Sequence, residues 1–120
     1  MNKRIPVDTF STKNSFSMNL FEANGFFQRL KGLHAYLPLQ NNEALVIKAC
    51  NAIHTMSMKS RIDVMFVNKE GCVIKALTVP PYRFVRCSKA CSVIEMCSGT
   101  IEKIGIEVGD TLEREHGRWE

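Results

Sequence analysis

The chain has 120 residues, of which 45% are apolar and 23% charged, with 16 bases against 12 acids and a formal charge of +4. A chain of this length buries roughly two thirds of its unfolded surface and folds as one domain without disulfide or metal staples. Composition of this kind is that of an ordinary globular protein and argues against disorder of the whole chain. No apolar run approaches the roughly 18 residues of a membrane helix, and residues 1–20 contain no secretion-signal core. The expected location is therefore the cytoplasm. The five cysteines, Cys50, Cys72, Cys87, Cys91 and Cys97, form an odd set with no CxxC pair, which fits reduced thiols better than a disulfide framework.

Taken in chain order, residues 1–20 read as an N-terminal arm with one short strand at 5–10. Residues 21–34 read as a helix, because Phe26, Phe27, Leu30 and Leu33 recur at helical spacing, with Asn19 or Asn24 as cap and Gly32 near the stop. A buried strand is expected at 44–48. Residues 61–67, rich in β-branched and aromatic side chains, and 72–78 form a hairpin around Asn68-Lys69-Glu70-Gly71, with Gly71 in the left-handed conformation. Pro80-Pro81 ends the second strand. Residues 82–90 read as a polar, basic loop or irregular edge, 92–96 as a strand, 100–104 as a single helical turn, and 111–114 as a last strand. The domain proper is expected to span 21–114, followed by a charged, frayed tail at 115–120. The expected fold is mainly β (α+β), a small barrel-like or sandwich-like sheet with one helix packed on it near 21–34.

Charge is uneven along the chain. Residues 102–120 carry six acids and three bases, while residues 1–101 carry 13 bases and six acids. A solvated surface accounts for this without nucleic acid.

Several residues invite a functional reading. Asp63 and Glu95 interrupt runs that otherwise read as core, and a buried carboxylate needs a partner. Arg29, His54 or backbone N–H groups could supply one, so Arg29, His54, Asp63 and Glu95 are the candidate ligand-binding residues, expected to lie together at one edge of the sheet. The competing reading is an ion pair that only stabilises the fold. Cys50, His54, Met56 and Met58 offer thiolate, imidazole and thioether groups suited to copper(I) or zinc. Their spacing matches no established ligand motif, however, so no metal and no cofactor is expected. A cysteine acting with His54 as nucleophile and base lacks any motif placing the two together. In the stretch Tyr82-Arg83-Phe84-Val85-Arg86-Cys87-Ser88-Lys89, aromatics between bases could stack on nucleobases, but the segment is short and the net charge modest, which argues against nucleic acid as a partner.

Arg29-x-x-Gly32-Leu33, then Ile53-His54-Thr55 with Met58, Ile62-Asp63-Val64 with Phe66, then Gly71, Pro80, Glu95, Gly99 and Gly109-Asp110 form an ordered series. In order and spacing it resembles domain-of-unknown-function family 192 from about residue 23 to 112. The chain departs from the family pattern at His34, where methionine is common, and at Met56 and Ser57, where an aromatic residue and a glycine are frequent. Many members also carry a leader or anchor. The resemblance implies a compact, mainly β fold and carries no reaction with it. The expected function is a small non-catalytic binding or accessory domain that contacts a protein or a small ligand. The alternatives are a small enzyme using His54 with Asp63 or Glu95 as acid and base, or a copper or zinc binder.

Overall fold

The computed structural model of the chain describes residues 5–23, 39–56 and 58–120. They form nine strands and one short helix: β1 (Asp8–Ser11), β2 (Ser17–Ala23), β3 (Glu43–Lys48), β4 (Ala52–His54), β5 (Ile62–Val67), β6 (Val73–Val79), β7 (Phe84–Arg86), β8 (Ser92–Cys97), α1 (Thr100–Ile104) and β9 (Glu113–Arg114). Seven strands make one sheet in the order β6-β5-β8-β3-β2-β1-β9, which curls into a half-barrel, and β4 pairs with β7 in a separate two-stranded ribbon. The fold is mainly β, as the residue pattern implies.

The middle of the sheet follows directly from the sequence. β3, β5 and β8 are almost continuous apolar runs, and such runs belong in strands covered on both faces. Alternation then sorts their side chains. Leu45, Ile47, Ile62, Val64, Phe66 and Val93 enter one apolar cluster, and Ala44, Val46, Met65, Val67, Ile94 and Met96 enter a second. The ribbon lies over the first cluster, to which Ile53 and Val85 contribute. The second is closed by Ile104, Ile106, Leu112 and Trp119.

The β5–β6 hairpin is as the turn chemistry requires. Gly71 has φ +85°, and the Asn68 side-chain oxygen accepts from the N–H groups of Glu70 and Cys72 at 3.1 and 2.9 Å, an Asx turn. Gly71 is also buried, and a Cβ there would run into the Leu112 carbonyl and the Trp119 indole. Gly71→Val is therefore expected to lose about 2 kcal/mol in denaturant melts, combining left-handed strain with crowding against a backbone oxygen.

The N-terminal third differs from the expectation. Phe21–Ala23 is not the start of a helix but the end of β2, which runs parallel to β3 from Asn19↔Glu43 to Ala23↔Ile47. The rest of the expected helix, 24–34, lies outside the described residues. β2 is not visible as an amphipathic strand because both of its faces are covered: Met18 and Leu20 join one cluster, Phe21 and Ala23 the other. Nor is the expected strand at 5–10 where the pattern puts it, since β1 begins at Asp8 and Ile5 and Val7 are exposed. At the other end, Trp119 is only 4% exposed. It stacks edge-on against Phe10 with ring centroids 5.8 Å apart, and its indole N–H donates to the Leu112 carbonyl at 3.0 Å.

No helix among the described residues is long and apolar enough to cross a membrane.

Candidate functional site

The ribbon is built to hold its outer face out. The register Ile53↔Val85 points one pair of side chains into the core, so its neighbours His54↔Phe84 point away from it. His54 is accordingly exposed, and Phe84 is 69% exposed. Tyr82 and Met56, at the same end of the ribbon, are 67% and 55% exposed.

One buried residue organises this end. Thr55 donates its hydroxyl to the Pro80 carbonyl at 2.7 Å. The same oxygen accepts the Arg83 N–H at 2.9 Å, the Thr55 carbonyl accepts the Tyr82 N–H at 2.9 Å, and the Thr55 N–H donates to the Arg83 carbonyl at 2.8 Å. Pro80 and Pro81 have no N–H to offer, so the two donors that follow them both go to Thr55. This clamp holds Tyr82 at φ +63°, a conformation that costs a bulky residue on the order of 1–3 kcal/mol. The strained residue carries its aromatic ring exposed to solvent.

Of the four expected site residues, the three that the structure describes, His54, Asp63 and Glu95, are not brought together. Asp63 and Glu95 stand on adjacent strands but on opposite faces: Asp63 pairs with Met96 on the side of the second cluster, while Glu95 pairs with Val64 and Leu45 on the side of the first. Asp63 is 1% exposed. It accepts from the Thr78 hydroxyl at 2.7 Å and from the Ile101 N–H at 2.8 Å. The N-terminal position of α1 is Gly99, which has no side chain to cap the helix, and Asp63 does so from the neighbouring strand. Asp63→Ala would leave the half-buried Ile101 N–H at the start of α1 without its acceptor and remove the partner of the Thr78 hydroxyl. A loss of about 2 kcal/mol is expected by urea titration, and Asp63→Asn, which keeps an acceptor, should lose less.

Glu95 is buried among apolar side chains, and its Oε2 has no hydrogen-bond partner among the described residues. Burial pushes its carboxyl up to about 7. Farther along the same face, Cys97 donates to the Leu39 carbonyl at 2.8 Å. Its thiol is pushed up by burial and by the negative charges of Glu43 and Asp63, so it is held as a thiol and not as a reactive thiolate. His54, facing out from the ribbon, is turned away from the cluster on whose side Glu95 lies. Arg29 lies outside the described residues.

The copper or zinc set is also divided. Cys50 and Met58 are buried in the first cluster, whereas His54 and Met56 face solvent, and among the described residues no three His, Cys, Asp or Glu side chains are grouped as metal ligands are. Two clefts open elsewhere: one of about 240 Å³ lined by Ala49, Cys50, Asn51, Ala90 and Cys91, and one of about 390 Å³ lined by Lys69, Glu70 and the chain end at 117–120.

From the sequence, Phe84 and Arg86 fall in a loop or irregular edge, and the structure makes them part of a short strand paired with β4. The signal that places them is the three-residue alternation of exposed, half-buried and exposed at Phe84, Val85 and Arg86, too short to read as a strand without its partner β4. Sequence reasoning missed a buried cation. Arg114 donates from Nε to Asp8 at 2.7 Å, from Nη2 to Glu22 at 3.1 Å and from Nη1 to the Arg118 carbonyl at 2.6 Å.

Comparison with known proteins places this arrangement in context. The sequence model of DUF192, described as "Uncharacterized ACR", matches residues 7–114. A UPF0127 protein of Pyrococcus furiosus is 36% identical over 63 residues, a match spanning 52% of this chain and 54% of that one; the match thus covers only about half of either protein. Two solved structures share the fold. A protein of unknown function from Novosphingobium aromaticivorans has a TM-score of 0.75 at 18% identity, covering 88% of this chain and 82% of its own. A Sinorhizobium meliloti protein, provisionally described as a transcription regulator, has a TM-score of 0.78 at 15% identity, covering 94% and 98%. At such identities the likeness is one of fold alone.

Proposed function

The chain belongs to the uncharacterised family DUF192, and from that premise we propose that it is a non-catalytic recognition module that docks another protein on the outer face of the β4–β7 ribbon. The observation that carries this reading is the clamped, strained presentation of Tyr82. Exposed apolar side chains scattered singly need no explanation. Here three of them, Met56, Tyr82 and Phe84, fall at one end of a ribbon that Thr55 holds rigid. A rigid aromatic platform binds at low entropic cost, because little remains to be ordered on contact.

The acid–base alternative draws no support from the geometry. Asp63 is occupied in capping α1, Glu95 stands on the opposite face of the sheet, and His54 faces away from both clusters. The metal alternative meets the same obstacle, since its four residues divide between core and solvent.

Site-specific photo-crosslinking tests the docking face. With p-benzoylphenylalanine placed at Phe84 in cells of the source organism, a discrete protein adduct is expected that does not form with the probe at Val108, which is equally exposed but off the ribbon. Adducts that are absent at Phe84, or the same at both positions, would overturn the proposal.

A further inference from the structure

The charge around the ribbon specifies what kind of partner segment it takes. Residues 71–94 contain Lys75, Arg83, Arg86 and Lys89 and not one acid, and residues 49–62 add Lys59 and Arg61, again with no acid. The three acids that border these segments in sequence do not offset them, and one of them, Glu95, is buried among apolar side chains. Asp63 is buried beneath α1, and Glu70 sits in the β5–β6 turn. Among the described residues none of Lys75, Arg83, Arg86 and Lys89 is in an ion pair; the salt bridges lie instead around Lys13, Lys48, Arg114, His116 and Arg118. Strand alternation puts Arg86 on the same outward face as Phe84, and the Lys75 ammonium donates to the Arg86 carbonyl at 3.3 Å, bringing a second cation beside it.

We propose that the outer face of β4–β7 binds an acidic peptide segment of the partner protein, in which carboxylates meet Arg83, Arg86 and Lys75 while an apolar side chain packs on Tyr82, Phe84 and Met56. This rests on the reading of the ribbon as the docking face. The cations are free to take carboxylates because no acid of the ribbon competes for them, and the guanidinium fork suits a carboxylate bidentately. Aromatics flanked by bases also fit single-stranded nucleic acid. A long polyanion, however, meets the whole molecule, including residues 102–120 with their six acids and three bases. A short acidic segment feels mainly the charges within a Debye length of roughly 8–10 Å. Charge segregation of this kind favours the short segment.

Selection from a random 12-residue phage-displayed peptide library on the immobilised full chain tests both the face and the chemistry. The wild type is expected to enrich peptides with several Asp or Glu residues around an aromatic or large aliphatic one. A selected peptide, made synthetically, should bind at least about tenfold more weakly to Arg83→Glu/Arg86→Glu and to Tyr82→Ala/Phe84→Ala. It should also weaken steeply as salt rises, as exposed charge pairs do. These side chains are exposed, so the variants keep the fold, which circular dichroism checks. Neutral or basic enriched peptides, no enrichment, or tighter binding of a single-stranded oligonucleotide than of any selected peptide would each overturn the proposal. If Tyr82→Ala/Phe84→Ala abolishes binding while Arg83→Glu/Arg86→Glu leaves it unchanged, the docking face stands and the acidic partner fails. If neither variant changes binding, both fail.

Discussion

Arg114→Met is expected to be the most damaging single change in the described structure, costing about 3–5 kcal/mol at neutral pH, the usual consequence of removing one partner of a buried ion pair. The Arg114 and Asp8 side chains are 3% and 1% exposed. Burial alone would raise the Asp8 carboxyl. The Arg114 guanidinium and the N–H groups of Gly117, Thr9 and His116 more than reverse this and bring it down to about 2 from the ordinary 3.8. A carboxyl depressed in the fold contributes stability that is complete above its unfolded value and is lost as pH falls through the folded one. In the wild type that loss is confined to pH below about 4. In Arg114→Met the anion of Asp8 is stranded without its cation, so the deficit relative to wild type should be largest near pH 7 and shrink in acid as Asp8 takes up a proton. Guanidinium titrations from pH 7 to pH 3 measure this. Adding Asp8→Asn to Arg114→Met should restore part of the lost stability, because the two side chains are in direct contact and their effects are coupled. A deficit that is small, or independent of pH, would mean that the network is not the clasp described here.

The opposite sign is expected for Glu95→Gln. Burial holds the Glu95 carboxyl at about 7 against an ordinary 4.5, so the fold favours the protonated form. A carboxyl raised in the fold imposes no penalty below its unfolded value; the penalty grows as pH rises from about 4.5 to about 7 and is complete above that. At pH 8 it amounts to roughly 3 kcal/mol. Glutamine has nearly the same shape and no charge to desolvate. The variant should match wild type near pH 4.5, exceed it by roughly 3 kcal/mol at pH 8, and lose the slope between. Urea melts at the two pH values decide the matter, and parallel pH profiles for the two proteins would exclude a buried titrating Glu95.

These two sites also show what could be read from the residues alone and what could not. The hairpin at Gly71, the largely buried strands β3, β5 and β8, and the turn of helix at 100–104 follow from local pattern, because their conformations are set by neighbours in sequence. The carboxylates of Asp63 and Glu95 were visible as intruders in apolar strands. Their partition to opposite faces was not, since it depends on the register Asp63↔Met96 against Val64↔Glu95, and a one-residue difference in pairing reverses every side chain. Asp8, Glu22 and Arg114 looked like ordinary surface charges, and only the pairing of β1 with β9 brings them together. The ribbon eluded the reading for the same reason: three residues of β7 make a strand only when β4, some 30 residues earlier in the chain, lies beside them.

The placement of β1 has a kinetic consequence. Its partner β9 is the last of the described strands, Asp8 and Arg114 are 106 residues apart, and the indole of Trp119 lies against Phe10. Contacts so distant in sequence form late and slowly, because the entropy of closing the intervening loop is lost before any contact repays it. On the ribosome β1 must wait, with Phe10 uncovered, until Trp119 has cleared the exit tunnel. A nascent chain arrested before Trp119 has emerged would remain open to protease and chaperone alike.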